Sequence, residues 1–250
     1  LSSAPLVAVL LQVRFESRDV LATPESGAAL LGHLAPAGFS QIMQMQQQQF
    51  IVGTGVAPGP QAEAQPAGWQ FSTSDGSSRV GVLANEMSLE TQAYIDWPRF
   101  SANWATCLTA LVEVASPSLV TRLGLRYVNR ITAPEVATAA ELAGSSLVEP
   151  PFLGPAVGSA LSEFVQATEG RVTLDLPGGV TGLVQHGVVP EGGGLTFVLD
   201  IDVFEADASP FSLDGVREGS RRLNDRALQI FQSVVGPGRF RQELKPEGAS

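Results

Sequence analysis

The sequence predicts an α+β fold, built as two pseudo-repeated halves that each lay a long amphipathic helix on one face of an antiparallel sheet. Three observations lead there. Apolar and polar residues alternate in short stretches separated by Gly-rich turns, the signature of half-buried strands. Two longer stretches instead carry apolar residues at three- and four-residue spacing behind a capping residue. The order strand, Gly turn, strand, loop, strand, capped helix also occurs twice, over residues 71–115 and 172–235, with slight residue identity between the copies. That combination reads as a structural repeat and not as a recent duplication.

Residues 6–16 (LVAVLLQVRFE) put Val7, Val9, Leu11, Val13 and Phe15 on one side of a first strand, with Gln12, Arg14 and Glu16 opposite. The apolar start lacks a basic flank and runs straight into this alternation, so it reads as strand and not as a signal peptide. Thr23-Pro24 supplies a cap and a first-turn proline for a short helix with an Ala28, Leu31, Leu34 stripe that stops before Pro36. A second strand covers 40–52 and contains the glutamine run 46–49, too short for a low-complexity tract and suited to an edge. The stretch 53–68 has no periodicity and reads as a loop. Strands at 69–73, 79–83 and 87–94 follow, with a turn at Asp75-Gly76.

Asp96 caps a helix in which Trp97, Phe100, Trp104, Leu108, Leu111 and Ala115 share a face; Ser116-Pro117 ends it and 119–131 returns as a strand. Residues 139–155 read as short helical or irregular structure. Strands at 171–176, 180–189 and 195–205 come next, joined by Pro177-Gly178-Gly179 and a loop at 191–194. Ser212 caps the last helix, whose stripe is Val216, Leu223, Ala227, Ile230 and Val234, and Gly236-Pro237-Gly238 stops it. The halves are assigned to 1–135 and 136–238, forming one compact unit, with a flexible tail at 239–250.

Charge narrows the function. With 15 Lys and Arg against 25 Asp and Glu, the net charge of −10 repels phosphate backbones and anionic lipid surfaces, so neither nucleic acid nor membrane is an expected partner. No apolar stretch approaches the roughly 20 residues of a membrane-spanning helix. The single cysteine, Cys107, and the lack of an Asn-x-Ser/Thr sequon favour a reducing compartment, and a cytoplasmic location is expected.

The blocks PLVAVLLQVRF near the start, RLGLRYVNRI at 122–131 and LDIDVF at 199–204 resemble an uncharacterised, sporadically distributed bacterial protein family of about this chain length. Its members share these blocks in this order, the central one being the specific signal. The resemblance spans nearly the whole chain, apart from the 53–68 loop and the Gly/Pro-rich tail. It implies the fold boundary and an accessory or defence-associated role, and it assigns no chemistry.

Alternation in the 122–131 strand sends Arg122, Arg126 and Arg130 to one face, spaced about 13–14 Å apart by strand rise. In 195–205 it sends Asp200 and Asp202 to the reverse of the core, while the first strand adds Arg14 and Glu16 and the hairpin adds Glu90. A second sheet face carrying Arg14, Arg126, Arg130, Asp200 and Asp202 is therefore expected. Its two readings are a cross-strand-paired charged face, and a rigid arginine grip on a carboxylate or phosphate.

The remaining motifs read as structural. Asp200, Asp202, Asp207 and Asp214 match no calcium loop, which needs Gly sixth and Glu twelfth. His33 and His186 have no ligand-spaced neighbours, so no metal and no cofactor are expected. Cys107 falls on the buried helix stripe, where a thiol is inert. No nucleophile elbow, Walker loop or dinucleotide fingerprint occurs, and Gly192-Gly193-Gly194 precedes a strand instead of a helix. Trp69 and Trp97 stand near loop ends, where aromatics anchor interfaces. The expectation is a non-catalytic binding or assembly protein acting on a protein partner or on itself. The alternative is an enzyme acting on a small anionic metabolite held by the Arg/Asp face, with His186, Asp200 or Asp202 as acid or base.

Overall fold

Alternation along the strands divides the molecule into two layers. The computed structural model describes residues 6–47, 65–133, 138–145, 147–157 and 159–235. Among them, ten strands form a single sheet: β1 (Leu6–Phe15), β2 (Phe39–Gln47), β3 (Gln65–Thr73), β4 (Ser78–Leu83), β5 (Glu86–Thr91), β6 (Leu119–Ala133), β7 (Thr168–Leu176), β8 (Val180–Glu191), β9 (Gly194–Glu205) and the two-residue β10 (Ser209–Pro210). Their order is β2-β3-β4-β5-β1-β6-β9-β8-β7, every neighbour antiparallel, with β10 pairing the start of β6. The α+β class is thus what the chain adopts.

One face of the sheet carries helices. Each begins where a side-chain oxygen accepts from an otherwise unpaired N–H: Thr23 from Ser26 at α1 (Pro24–Leu34), Asp96 from Arg99 at α2 (Trp97–Ala115), Thr138 from Glu141 at the short α3 (Ala139–Gly144), and Ser212 from Gly215 at α4 (Leu213–Val234). Helix α4 lies over β6 and β9, α2 packs between α1 and α4 and touches β5, and α1 lies on β2 and β3. Between the layers are Val9, Leu11 and Val13 of β1, Leu125 of β6, Ile201 and Val203 of β9, and Trp104, Leu108, Leu111 and Leu223 of the helices, all buried. The Trp104 indole N–H donates to Ser220 Oγ at 3.1 Å, tying α2 to α4, and the Tyr127 hydroxyl donates to Asn224 Oδ1 at 2.5 Å, tying β6 to α4.

Several expectations need correction. Strand β3 begins at Gln65 and not at 69, because its ladder with β2 continues through Gly68↔Met45 and Pro66↔Gln46. Trp69 is no loop-end anchor: it is 9% exposed, with its indole beneath Gly27 of α1, where a Cβ would come within 2.7 Å of the ring. Helix α1 accordingly buries Ser26, Gly27, Leu30 and Leu34, leaving Ala28 exposed and Leu31 half-buried. Val7 is 38% exposed, since the pairing of β1 with β6 shifts register between Leu6 and Ala8. The helix stop at 236–238, the tail at 239–250, residues 48–52 of the second expected strand and most of the expected loop lie outside the described residues. Among the described residues, no helix is long and apolar enough to cross a membrane.

Candidate functional site

The face on which no helix packs among the described residues carries the arginines and aspartates. Register places Leu10, Gln12 and Arg14 of β1 beside Arg126, Gly124 and Arg122 of β6, and Asp202 and Phe204 of β9 beside Arg126 and Gly124. Arg14, Arg126, Arg130, Asp200 and Asp202 therefore share the face that alternation assigns to them. Arg79 of β4 and Glu90 of β5 extend the same row, opposite each other.

Each basic group of the central cluster already holds a carboxylate. Arg126 makes a forked contact with Asp200, Nε to Oδ1 at 2.8 Å and Nη2 to Oδ2 at 2.5 Å. Arg122 donates to Gln12 Oε1 at 2.6 Å and to Asp202 Oδ2 at 3.2 Å, with its guanidinium 4.5 Å above the Phe204 ring. Arg14 donates to Glu86 at 3.0 Å, and Arg130 to Glu191 at 2.5 Å. The diagonal reach of Arg122 depends on Gly124, where a Cβ would stand 2.5 Å from Nη1. Of these partners, Arg122 enters the sequence reading only as a member of the arginine row, and Glu86 and Glu191 carry no site signal there. Same-face spacing of Arg122 from Arg126 is legible there, whereas Glu86 and Glu191 become neighbours only through strand order.

Electrostatics follow from these pairs. The hydrogen bond to Asp200 raises the Arg126 pKa further, and the bond from Arg130 holds Glu191 below the usual carboxylate range. Burial raises Asp202, with Arg122 and Arg126 opposing it. Glu16, expected on this face, works at a corner instead: it accepts from Ser118 N at 2.7 Å, Ser118 Oγ at 3.0 Å and Leu119 N at 2.9 Å. Burial disfavours its charge, but those N–H groups bring its pKa below the ordinary value.

A depression of about 460 Å³ is lined by Thr168, Glu169, Gln185, His186, Val198 and Asp200 among others, and by no arginine or lysine. The arginines of the charged face therefore do not border it. A second groove, about 450 Å³ between α2 and α4, has Arg217 and Arg221 on its rim, but Arg221 is bound to Glu218 at 2.8 Å and Asp225 at 3.4 Å.

The rings of the two histidines and the thiol of Cys107 have other surroundings. His186 is on the helix side, edge-on to Phe152 with ring centroids 5.3 Å apart and near Phe197, and burial lowers its pKa. Register pairs it with the buried Leu199 and pairs Gln185 with Asp200, so its ring packs toward the core while Asp200 points to the other face, although both residues border the 460 Å³ depression. His33 Nδ1 sits 3.1 Å from Glu113 on the exposed side of α1 and α2. Cys107 is fully buried, its thiol pushed up to about 12 by desolvation. Among the described residues, no group of three or more His, Cys, Asp or Glu side chains is placed to hold a metal ion.

The two edges of the sheet differ in chemistry. At one end β7 carries Glu169, Arg171 and Asp175 with exposed side chains, and the turn at Pro150–Ala156 packs against it. Charges and covering segments of this kind blunt an edge. At the other end β2 (FSQIMQMQQ) has no charged residue and no proline, and pairs only with β3 among the described residues. Gln41, Ile42, Met43 and Gln44 are exposed, Ile42 by 41% and Met43 by 56%.

No protein-family model and no curated protein matches the sequence.

Proposed function

We propose that the protein is a non-catalytic binding or assembly protein whose docking element is the outer edge of β2, which pairs only with β3 among the described residues. The observation that carries this reading is the contrast between the two edges: a chain of net charge −10 leaves one nine-residue edge strand wholly uncharged, with Ile42 and Met43 exposed. An unguarded edge offers a row of backbone donors and acceptors to a further strand. The enzyme reading is less well supported, because the arginines that would grip an anion are engaged by carboxylates and the His186 ring packs against Phe152 and Phe197. A ligand on the Arg/Asp face would have to displace those pairs.

The finer reading of the fold belongs with this proposal. Strands β3, β4 and β5, followed by α2, step inward from beside the edge strand β2 toward β1, and β7, β8 and β9, followed after β10 by α4, step inward from the other edge toward β6. We read these as two pseudo-repeated halves, 1–135 and 136–238, of one compact unit. The single buried Cys107 fits a cytoplasmic location, and the blocks shared with the uncharacterised bacterial family fit an accessory or defence-associated role.

A photo-crosslinking amino acid placed at position 43, with position 172 of β7 as the control edge, tests the docking reading. Irradiation in host cells and of the purified protein is expected to give polypeptide adducts from position 43 well above those from 172. Equal yields from the two edges, or no adduct from 43 in either setting, would refute it.

A further inference from the structure

Resting on the reading of β2 as the docking edge, we infer that its occupant is a second copy of this chain, paired antiparallel to β2 about a two-fold axis at Met43. The argument begins with charge. Two molecules of net charge −10 repel at most approaches, and β2 is the edge that brings no ionised group to the contact. The regular part of the strand runs from Gln41 to Met45, between register shifts at Phe39/Gln41 and Met45/Gln46. Folding this run on itself about Met43 sets Gln41 against Met45, Ile42 against Gln44 and Met43 against its own copy.

Every one of those pairs is neutral. The pleat also sorts them correctly: Met43 lies opposite Gln70 on the open face, whereas Ile42 lies opposite the buried Phe71 on the helix side. The Met43 pair and both Gln41–Met45 pairs therefore stack on the open face, and both Ile42–Gln44 pairs on the helix face. The opposite edge is less suited: pairing of β7 about its middle residue, Val172, would oppose Glu169 to Asp175 in both halves of the contact, and the Pro150–Ala156 segment already packs against that strand. A dimer through β2 therefore closes on itself and leaves two guarded edges, which stops growth at two copies.

A ladder this short makes a small interface, in the weak, transient class. Sedimentation velocity over about 1 to 100 µM, the micromolar range of such contacts, should show a monomer–dimer equilibrium. Added salt should strengthen it, because screening relieves the repulsion between like-charged copies. Met43→Lys places two like charges at the axis and should abolish the dimer without unfolding the exposed site. Gln41→Lys combined with Met45→Glu sets opposite charges across both flanking pairs and should tighten it at low salt. Met43→Cys should form an intermolecular disulfide on oxidation. Gln41→Cys should not, because its copy lies about 13 Å away along the strand, beyond disulfide reach.

A dimer that survives Met43→Lys, or equal crosslinking through positions 41 and 43, overturns the inference. A strict monomer whose position 43 still captures a different polypeptide overturns the self-pairing but leaves the docking reading standing. A strict monomer with no capture at 43 overturns both.

Discussion

Two glycines in the same helix should respond to the same substitution with opposite signs. Gly27 and Gly32 both lie within α1. At Gly32 a Cβ meets nothing within 4 Å, so Gly32→Ala gains only the helix-propensity difference, about 0.8–1 kcal/mol. At Gly27 the same methyl would stand 2.7, 2.8 and 2.9 Å from three atoms of the Trp69 indole, which is itself buried against the sheet. A ring held in a packed layer cannot swing aside, and overpacking costs about 1–3 kcal/mol, so Gly27→Ala loses up to about 2 kcal/mol after the propensity gain. For a domain of this size, about 2–4 °C per kcal/mol should separate the variants, with Gly32→Ala above and Gly27→Ala below the parent. Thermal melts by circular dichroism and urea curves by tryptophan fluorescence measure both. If Gly27→Ala is as stable as Gly32→Ala, the placement of Trp69 under α1 is wrong.

Other perturbations address the charged face and the isolated groups. Removing Arg126 and Asp200 singly and together should reveal a coupling of about 1 kcal/mol in denaturant unfolding, kept modest because the guanidinium is 48% exposed; additivity would mean that the forked pair does not form in solution. Asp75 should titrate at about 2 by NMR, because the Thr73 hydroxyl at 2.6 Å and the Ser77 N–H and hydroxyl stabilise its ionised form. With the folded pKa below the unfolded value, the turn's gain is present above the ordinary aspartate range and is lost as pH falls toward that midpoint. Thr73→Val should return the titration toward the ordinary value, and an unchanged midpoint would refute the assignment. Cys107, fully buried with its thiol raised to about 12, should react with iodoacetamide only in denaturant; alkylation of the native protein at a free-thiol rate contradicts its place in the core.

Much of the local structure is legible because it is carried by neighbours in sequence. The alternation in β6 and β9 puts Arg122, Arg126, Arg130, Asp200 and Asp202 on one face without any knowledge of strand order, and Asp96 and Ser212 announce their helices. What sequence cannot carry is who lies beside whom. The insertion of β1 between β5 and β6 decides that Arg14 meets Glu86 and that Arg122 meets Gln12. Trp69 looks like a loop-end anchor until β3 extends back to Gln65 and the missing side chain of Gly27 admits its ring. The position of β2 is hidden for the same reason: a Gln- and Met-rich strand becomes an edge only when the order of the described strands leaves it last.

Residue-resolved hydrogen–deuterium exchange of those amides of residues 41–45 that point away from β3, against protein concentration, tests the docking edge most directly, since the alternate amides are already held in the β2–β3 ladder. The account predicts protection that grows with concentration at these outward amides and not at 169–175, and that disappears in Met43→Lys. Exchange at the outward amides that is fast and independent of concentration, with no host polypeptide slowing it, would contradict the claim that this edge is where the protein binds.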